Sequence, residues 1–257
     1  MKTIDLNSDL GESFGAYTIG NDKEVLQYIS SANIACGFHA GDHNVMMDTV
    51  RTATSLDVGI GAHPGFPDLA GFGRREMKLS PSEIYNLVVY QLGAIQAAAK
   101  ACGTSVQHVK PHGALYNMAS KDAVMAESIA AAVKAVDPKL VLFGLAGSEL
   151  VRAGEKAGLR VAQEVFADRT YQPDGTLTPR SQANAMVHDV NEAVDRVITM
   201  IQEGKVTAVD GTDIAIQADT ICVHGDEPEA LRFVQELRKR LETEQIDIRN
   251  FGVKQHE

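Results

Sequence analysis

Six stretches of the sequence carry ionisable side chains to points where an apolar run gives way to glycine, proline or a polar turn. In the first, Asp5-Leu6-Asn7-Ser8-Asp9-Leu10-Gly11-Glu12, an extended backbone directs Asp5, Asn7 and Asp9 to one face, because side chains alternate along a strand. Polar groups so placed are poor material for a dry core and need a partner, water or a cation. Their carboxylates could orient substrate, water or a metal ion. In Asn33 to His43, an apolar segment ends in Gly37, His39, Gly41 and Asp42. His39 could act as a base or metal ligand, and Asp42 could orient an imidazole or accept a proton. Gly59 to Arg75 repeats this arrangement, with His63 at the end of a small-residue run and Arg74 and Arg75 farther on. Either arginine could hold a carboxylate or phosphate through paired N–H donors. His108 to Asn117 offers Lys110, suited to stabilising developing negative charge, and His112, suited to proton transfer. Glu164 to Tyr171 adds Glu164 as a general base and Arg169 as an anion anchor, and Cys222 to Asp226 contributes His224 and Asp226. Asp226 could instead cap the following helix, with Glu229 completing a capping box.

These groups can cooperate only if the chain brings them together. Strand-like segments over Thr3–Asn7, Ala32–Cys36, Val58–Ala62, Val106–Lys110, Leu140–Leu145, Leu159–Val165 and Thr220–Val223 alternate with longer helical patterns. The helices are expected over Asn21–Ser30, Asn44–Leu56, Pro81–Ala101, Asp122–Val136, Ser148–Ala157, Gln182–Gln202 and Pro228–Glu242. Such alternation argues for parallel strands joined by crossover helices, which gather the C-terminal strand ends on one rim. The recurrence of histidine, lysine or glutamate at those ends therefore points to one catalytic pocket. The strand–helix units suggest a closed or nearly closed α/β barrel, with a doubly wound open sheet as the competing arrangement. Ser80-Pro81-Ser82-Glu83 is a capping box with proline at the first helical position. Beyond it, Ile84, Leu87, Val88, Gln91, Leu92, Ile95, Ala98 and Ala99 form one face at helical spacing. No linker or composition shift divides the chain, so residues 1–257 read as a single catalytic domain. Gly59–Gly73 and Asp168–Arg180 read as long functional loops.

Composition narrows the function classes. A hydrophobic fraction of 44% with only 5% aromatics suits a core of Ala, Val, Ile and Leu packed between helices and strands. The net charge of −10 opposes general phosphate-backbone binding, so no nucleic acid is expected as partner. No apolar run reaches the roughly 18 residues of a membrane span, and the N-terminal residues turn acidic before any signal-like segment, so a cytoplasmic, non-membrane protein is expected. Cys36, Cys102 and Cys222 are widely spaced and indicate neither a disulfide framework nor a compact zinc knuckle.

Taken in order, DLNSDLGE from Asp5, SANIACGFHAGDH from Ser31, GAHPGFPDLAGFGRR from Gly61, VKPHGALYN from Val109, EVFADRTY from Glu164, LTPR from Leu177 and VHGD from Val223 resemble the bacterial LamB/YcsF family. The resemblance implies a seven-unit β/α barrel similar to the glycoside hydrolase/deacetylase superfamily. It also implies the A component of a prokaryotic 5-oxoprolinase, a hydrolase that opens 5-oxo-L-proline to L-glutamate with ATP as co-substrate and with components B and C as partners. No G-x-x-x-x-G-K-[ST] stretch is present to locate ATP. On this reading Asp9, Glu12, His39, Asp42, His63, Lys110, His112 and Glu164 are the candidate catalytic residues. Asn7, Gly41, Arg74, Asn117, Asp168, Arg169, Arg180, His224 and Asp226 are candidates for holding substrate or phosphate. Two alternatives stand beside it: a metal-dependent amidohydrolase or deacetylase without ATP, using Asp9, His39 and His63 as ligands, and a non-catalytic substrate-binding subunit. A divalent metal is therefore possible, of no particular identity.

Overall fold

A computed structural model of the protein describes residues 2–223 and 230–252. Parallel strands β1 (Thr3–Leu10), β2 (Ser31–Ala35), β3 (Gly59–His63), β4 (Val106–Val109), β5 (Val141–Leu145) and β6 (Arg160–Phe166) pair in sequence order. The antiparallel ribbon of β7 (Lys205–Thr207) and β8 (Asp213–Ala215) follows, and then β9 (Thr220–Cys222) pairs with both β6 and β1. That last pairing closes a seven-stranded barrel and excludes the open sheet. A short β10 (Asp247–Ile248) extends the sheet beside the start of β1.

The helices are α1 (Asp22–Val25), α2 (His43–Ser55), α3 (Pro81–Ala101), α4 (Gly113–Ala119), α5 (Ala123–Val136), α6 (Glu149–Ala157), α7 (Val190–Glu203) and α8 (Ala230–Thr243). Around the strands, Leu6, Ile34, Ile60, Val109, Leu142, Val165 and Ile221 form one continuous core with the apolar helix faces. α3 shows why the pattern was readable: the Ser80–Glu83 capping box is formed, and every residue of its expected stripe is buried. Gln91 in that stripe accepts from the Gly65 N–H at 2.9 Å and donates to the Gly65 carbonyl at 3.0 Å, so the helix pins the loop after β3.

Three boundaries differ from the sequence reading in ways that matter. β1 continues to Leu10 rather than stopping at Asn7, because Ser8 and Asp9 still pair with Ala32 and Asn33 of β2, and Asp9 is thereby held on a strand. The helix expected over 182–202 starts at Val190, capped by Asp189, and the residues before it cross to the 168–171 segment through Thr170–Ala185 and Val187–Asp168 backbone hydrogen bonds. Between Asn21 and Ser30 only Asp22–Val25 is helical. The start of the last helix at Pro228 lies outside the described residues.

Inside the barrel, aliphatic layers of the usual kind give way to hydrogen-bonded polar rungs. At the N-terminal end, Asp5 accepts from Ser30 and Ser31 at 2.7 Å each and from Thr220 at 2.5 Å. One level up, Asn7 donates to Thr220 at 2.7 Å, Asn33 donates to Asn7 at 2.7 Å, and His108 Nε2 lies 2.7 Å from Asn33 Oδ1. Val141, Phe143 and Ala162, with Phe251 against them, form a small separate apolar cluster, and His108 stacks on Phe143 at 4.3 Å. His108 fits only because β3 has no side chain at Gly61, where a Cβ would collide with its Nε2. Gly61→Ala is therefore expected to destabilise the protein by about 2 kcal/mol or more, since neither the strand nor a stacked ring can give way far enough. The midpoint of chemical denaturation measures this, and an unchanged midpoint would contradict the packing.

Candidate active site

At the C-terminal end of β4, Lys110 reaches into the barrel and gathers three further strands around its ammonium group. Nζ lies 2.7 Å from Glu164 Oε1, 3.0 Å from Asp9 Oδ1, 3.0 Å from Asn7 Oδ1 and 3.1 Å from Cys222 Sγ. Burial alone would lower the ammonium pKa, but the Asp9 and Glu164 carboxylates hold it well above its ordinary value. Burial would likewise raise Asp9, but its neighbours His63 and Lys110 hold its carboxyl well below the usual carboxylate range. The group is therefore a fixed charge pair at neutral pH. Asn33 donates to Asp9 at 2.9 Å, and Tyr116 donates to Glu164 Oε2 at 2.6 Å.

Glu164 is fully buried, is engaged by Lys110, Asn7 and Tyr116, and is absent from the wall of the pocket, an arrangement that anchors Lys110 and does not fit the general base expected from sequence. Asp9, whose side chain is 17% exposed, is the carboxylate that reaches the pocket.

Above Lys110, Glu12, His39, His63 and His112 place one ligand atom each within 4.8 Å of one another, and all four are buried. His39 and His112 stack face to face at 3.7 Å, and His63 meets both edge-on. Gly73, at φ +62°, makes room for them, since a Cβ there would come 2.7 Å from His39 and 2.9 Å from His112. The proton positions follow from the acceptors. His63 Nδ1 lies 2.7 Å from the Lys110 carbonyl and His112 Nε2 lies 2.8 Å from the Phe72 carbonyl, so both of those nitrogens carry hydrogen. His63 Nε2 and His112 Nδ1 then face each other at 2.9 Å with lone pairs on both, and Asp9 Oδ2 stands 3.2 Å from the first. Two opposed lone pairs beside two carboxylates call for a cation, either a proton or a metal ion. Neither His39 ring nitrogen has a hydrogen-bond partner among the described residues, and Glu12 Oε1 lies 3.9 Å from His39 Nε2 and 3.8 Å from His112 Nδ1. A buried three-histidine, one-glutamate set with unused lone pairs suits a divalent ion with nitrogen and oxygen preference. The set differs from the Asp9, His39, His63 combination read from sequence: Asp9 is engaged by Lys110, and Glu12 and His112 complete the cluster.

The cluster opens into a cavity of ≈ 720 Å³ walled by Asp9, Glu12, His63, Phe72, Arg74, Lys110, His112, Tyr116, Asn117, Arg169, Thr178 and Arg180, among others. Arg74 lies over the Phe72 ring at 4.9 Å, whereas Arg75 is paired with Asp68 outside the cavity wall, so the choice between the two arginines falls to Arg74. Other expected residues have structural duties. Asp42 caps α2 by accepting from the Asn44 and Val45 N–H groups and ties down Gly15, so it does not act on the histidines. Gly41 packs against backbone, with the Gly11 carbonyl 2.7 Å from where its Cβ would be. Asn7 is fully buried and orders Lys110 and Glu164 instead of touching a ligand. Asp168 lies outside the cavity wall and its carbonyl accepts from Val187. His224 and Asp226 are outside the described residues. Sequence reasoning missed Asn33, His108, Tyr116 and Thr220. For Asn33 the signal was present, since Ser31 and Asn33 alternate as the polar residues of β1 do.

A closed parallel barrel with a carboxylate–histidine cluster and a buried lysine at the C-terminal strand ends defines an α/β barrel with its candidate site at one rim. The chain belongs to the LamB/YcsF family, whose profile matches residues 4–256. It is similar to proteins named as the A subunit of 5-oxoprolinase from Halalkalibacterium halodurans (60% identity, 96% of each chain) and Oceanobacillus iheyensis (61%, 95% of each). Among solved structures, the lactam utilization protein from Thermus thermophilus superposes with a TM-score of 0.92 at 49% identity, covering 98% of this chain and 100% of that one. The catalytic domain of a peptidoglycan N-acetylglucosamine deacetylase from Eubacterium rectale shares the fold alone, with a TM-score of 0.51 at 11% identity over 100% of this chain and 93% of that one.

The buried histidines set a dependence on pH. Burial holds His39 well below its ordinary value and His108 and His112 at about 3, with neighbouring positive charge adding to the effect. They stay neutral in the folded protein while the unfolded chain takes up protons below about pH 6.5. The unfolded state then binds more protons, so stability falls as pH falls, with a slope approaching about 1.4 kcal/mol per pH unit for each histidine. Denaturation midpoints in metal-free buffer are expected to drop steeply between about pH 6.5 and 4, and His108→Asn to flatten the slope; a flat profile for the native chain would contradict the neutral histidines.

Proposed function

We propose that this chain is the A component of an ATP-dependent 5-oxoprolinase, which opens 5-oxo-L-proline to L-glutamate with release of ADP and phosphate. The observation that carries this reading is its near-complete overlap, at about 60% identity, with relatives named as the A subunit of that enzyme. The site supports it. A five-membered lactam is a resonance-stabilised amide with a poor nitrogen leaving group, and phosphorylation of its oxygen would make the ring carbon electrophilic. ATP is consumed by the assembly with components B and C, and the single barrel of this chain supplies the pocket, within the cytoplasm.

In that pocket Lys110 presents a permanent positive charge toward the oxygen on which negative charge develops. Asp9 keeps Lys110 charged, and its depressed pKa suits it to orienting water or substrate rather than to accepting a proton. His112, held neutral with its N–H on the Phe72 carbonyl, offers a lone pair instead of the proton donor expected from sequence. Arg74, at the cavity wall, adds charge for a phosphate or tetrahedral oxygen. Glu12, His39, His63 and His112 would hold a divalent cation, which would supply Lewis-acid chemistry beside the pocket. This cluster also favours a second reading, a metal-dependent amidohydrolase that works without ATP.

Glutamate and ADP, quantified together from 5-oxo-L-proline with the purified chain alone and with components B and C, separate the readings. Equal amounts of both products, formed only in the full mixture with ATP, are expected. ATP-independent hydrolysis by the isolated chain would establish the amidohydrolase instead, and normal coupled turnover in both His63→Ala and Lys110→Met would reduce the chain to a binding subunit; each substitution is expected to slow turnover by about 100-fold or more. Elemental analysis checks the cluster directly. One divalent ion per native chain and none in His39→Ala/His112→Ala is expected, whereas a native chain that takes up no ion from zinc- or manganese-supplemented buffer would mean that the opposed imidazoles share a proton.

A further inference from the structure

The wall of the cavity carries a further cation that the chemistry above does not use. Arg169 follows the end of β6 and is only 5% exposed, yet among the described residues its guanidinium makes one hydrogen bond, from Nη2 to the Thr178 carbonyl at 2.6 Å. Its Nε is buried without a hydrogen-bond partner among the described residues, although the charge of the neighbouring Asp168 acts on it. A buried charged donor left without an acceptor is costly, and a binding site is where such a cost is offset by a ligand. Arg169 is also rigidly placed. Its backbone bridges to Met186, its carbonyl accepts from Arg196 at 3.1 Å, and Thr178 is fully buried.

A second arginine reinforces the positive charge. Arg180, on the same cavity wall, is close enough that its charge, after burial, is the next cause lowering the Arg169 pKa, to about 10, which still leaves Arg169 charged at neutral pH. Two cations on one cavity wall make the local potential positive and favour an anion there. Arg169 and Lys110 line the same cavity, so a ligand held by one is within the pocket of the other.

We propose that Arg169, with Arg180 beside it, is a carboxylate subsite that holds the ring carboxylate of the lactam substrate and so sets which part of the ring meets Lys110 and the histidines. The inference rests on the 5-oxoprolinase reading for the identity of the substrate. With one arm committed to Thr178, the guanidinium retains a narrow planar set of donors, which matches a carboxylate. A polyphosphate is ordinarily cradled by a succession of backbone N–H groups. Such a subsite also discriminates: a lactam without the carboxylate would leave the buried donor unpaired and bind weakly.

The test is calorimetric binding of 5-oxo-L-proline and of 2-pyrrolidinone, the same ring without the carboxylate, to the full chain and to Arg169→Lys and Arg180→Gln. The native chain is expected to prefer 5-oxo-L-proline by about tenfold to a hundredfold, the range of a charge-assisted pair. Arg169→Lys, which keeps the charge without the fork, should lose most of that preference. Arg180→Gln, at an exposed position where folding is not at stake, should lose part of it, with 2-pyrrolidinone binding unchanged in both. Equal affinity of the native chain for the two ligands, binding of neither, or a preference that survives both substitutions overturns the subsite. Glutamate formation by the native chain with its partners judges the activity separately, so a subsite that fails beside normal turnover leaves that reading intact. In the same turnover assay, a rise confined to the KM for ATP would assign the arginines to phosphate and overturn the carboxylate.

Discussion

The ammonium group of Lys110, enclosed by carboxylates from β1 and β6, is the constraint from which the rest of the barrel interior follows. A buried charge of this kind is tolerable only when its partners and their remaining hydrogen-bonding atoms are all satisfied. Asp9 and Glu164 supply the counter-charge, Asn7 and Asn33 orient those carboxylates, and Tyr116 and Thr220 take up the next positions. These residues come from four strands and from α4, so the network also fixes how the strands register around the barrel axis. The polar rungs replace aliphatic filling because the lysine cannot stand alone. Removing Lys110 would leave two carboxylates facing each other in a low-dielectric interior, which makes the residue structural as well as chemical.

The histidine cluster inherits its order from that network. His63 is oriented by the Lys110 carbonyl and by Asp9, and His112 by the Phe72 carbonyl, so their facing lone pairs are set by the backbone and not by chance rotamers. Carbonyl contacts of this sort select the tautomer and the ring angle of histidines that bind a cation. The loop after β3 contributes as well, since Gln91 of α3 clamps it from behind and Phe72 meets the stacked rings edge-on.

Much of this was legible from residue order because the relevant signals are local. Alternation at Asp5, Asn7 and Asp9, the capping box at Ser80, and histidines at the ends of small-residue runs all follow from strand and helix geometry within a few residues. Assigning duties among the polar residues was harder, because it depends on partners distant in the chain. Glu164 reads as a base until Lys110 and Tyr116, 54 and 48 positions away, are seen to saturate it. Asp42 reads as a proton acceptor or a partner for an imidazole until its carboxylate is found on the α2 N-terminus. His108 offered no clue to its role, since its place depends on the missing side chain at Gly61 and on the Phe143 ring beneath it.

The Gly61–His108 contact also bears on how such a barrel can change over generations. The imidazole occupies the volume that any other residue on β3 would claim, so the two positions cannot vary independently. A side chain at 61 demands a smaller one at 108, which deprives Asn33 of the imidazole that meets its Oδ1 and loosens the amide that steadies Asp9. A neutral drift at either site is thus blocked unless the other moves first, and that first move weakens the polar layer beneath the pocket. The pair acts as a ratchet on descent, predicting strong covariation between two positions that lie outside the cavity wall.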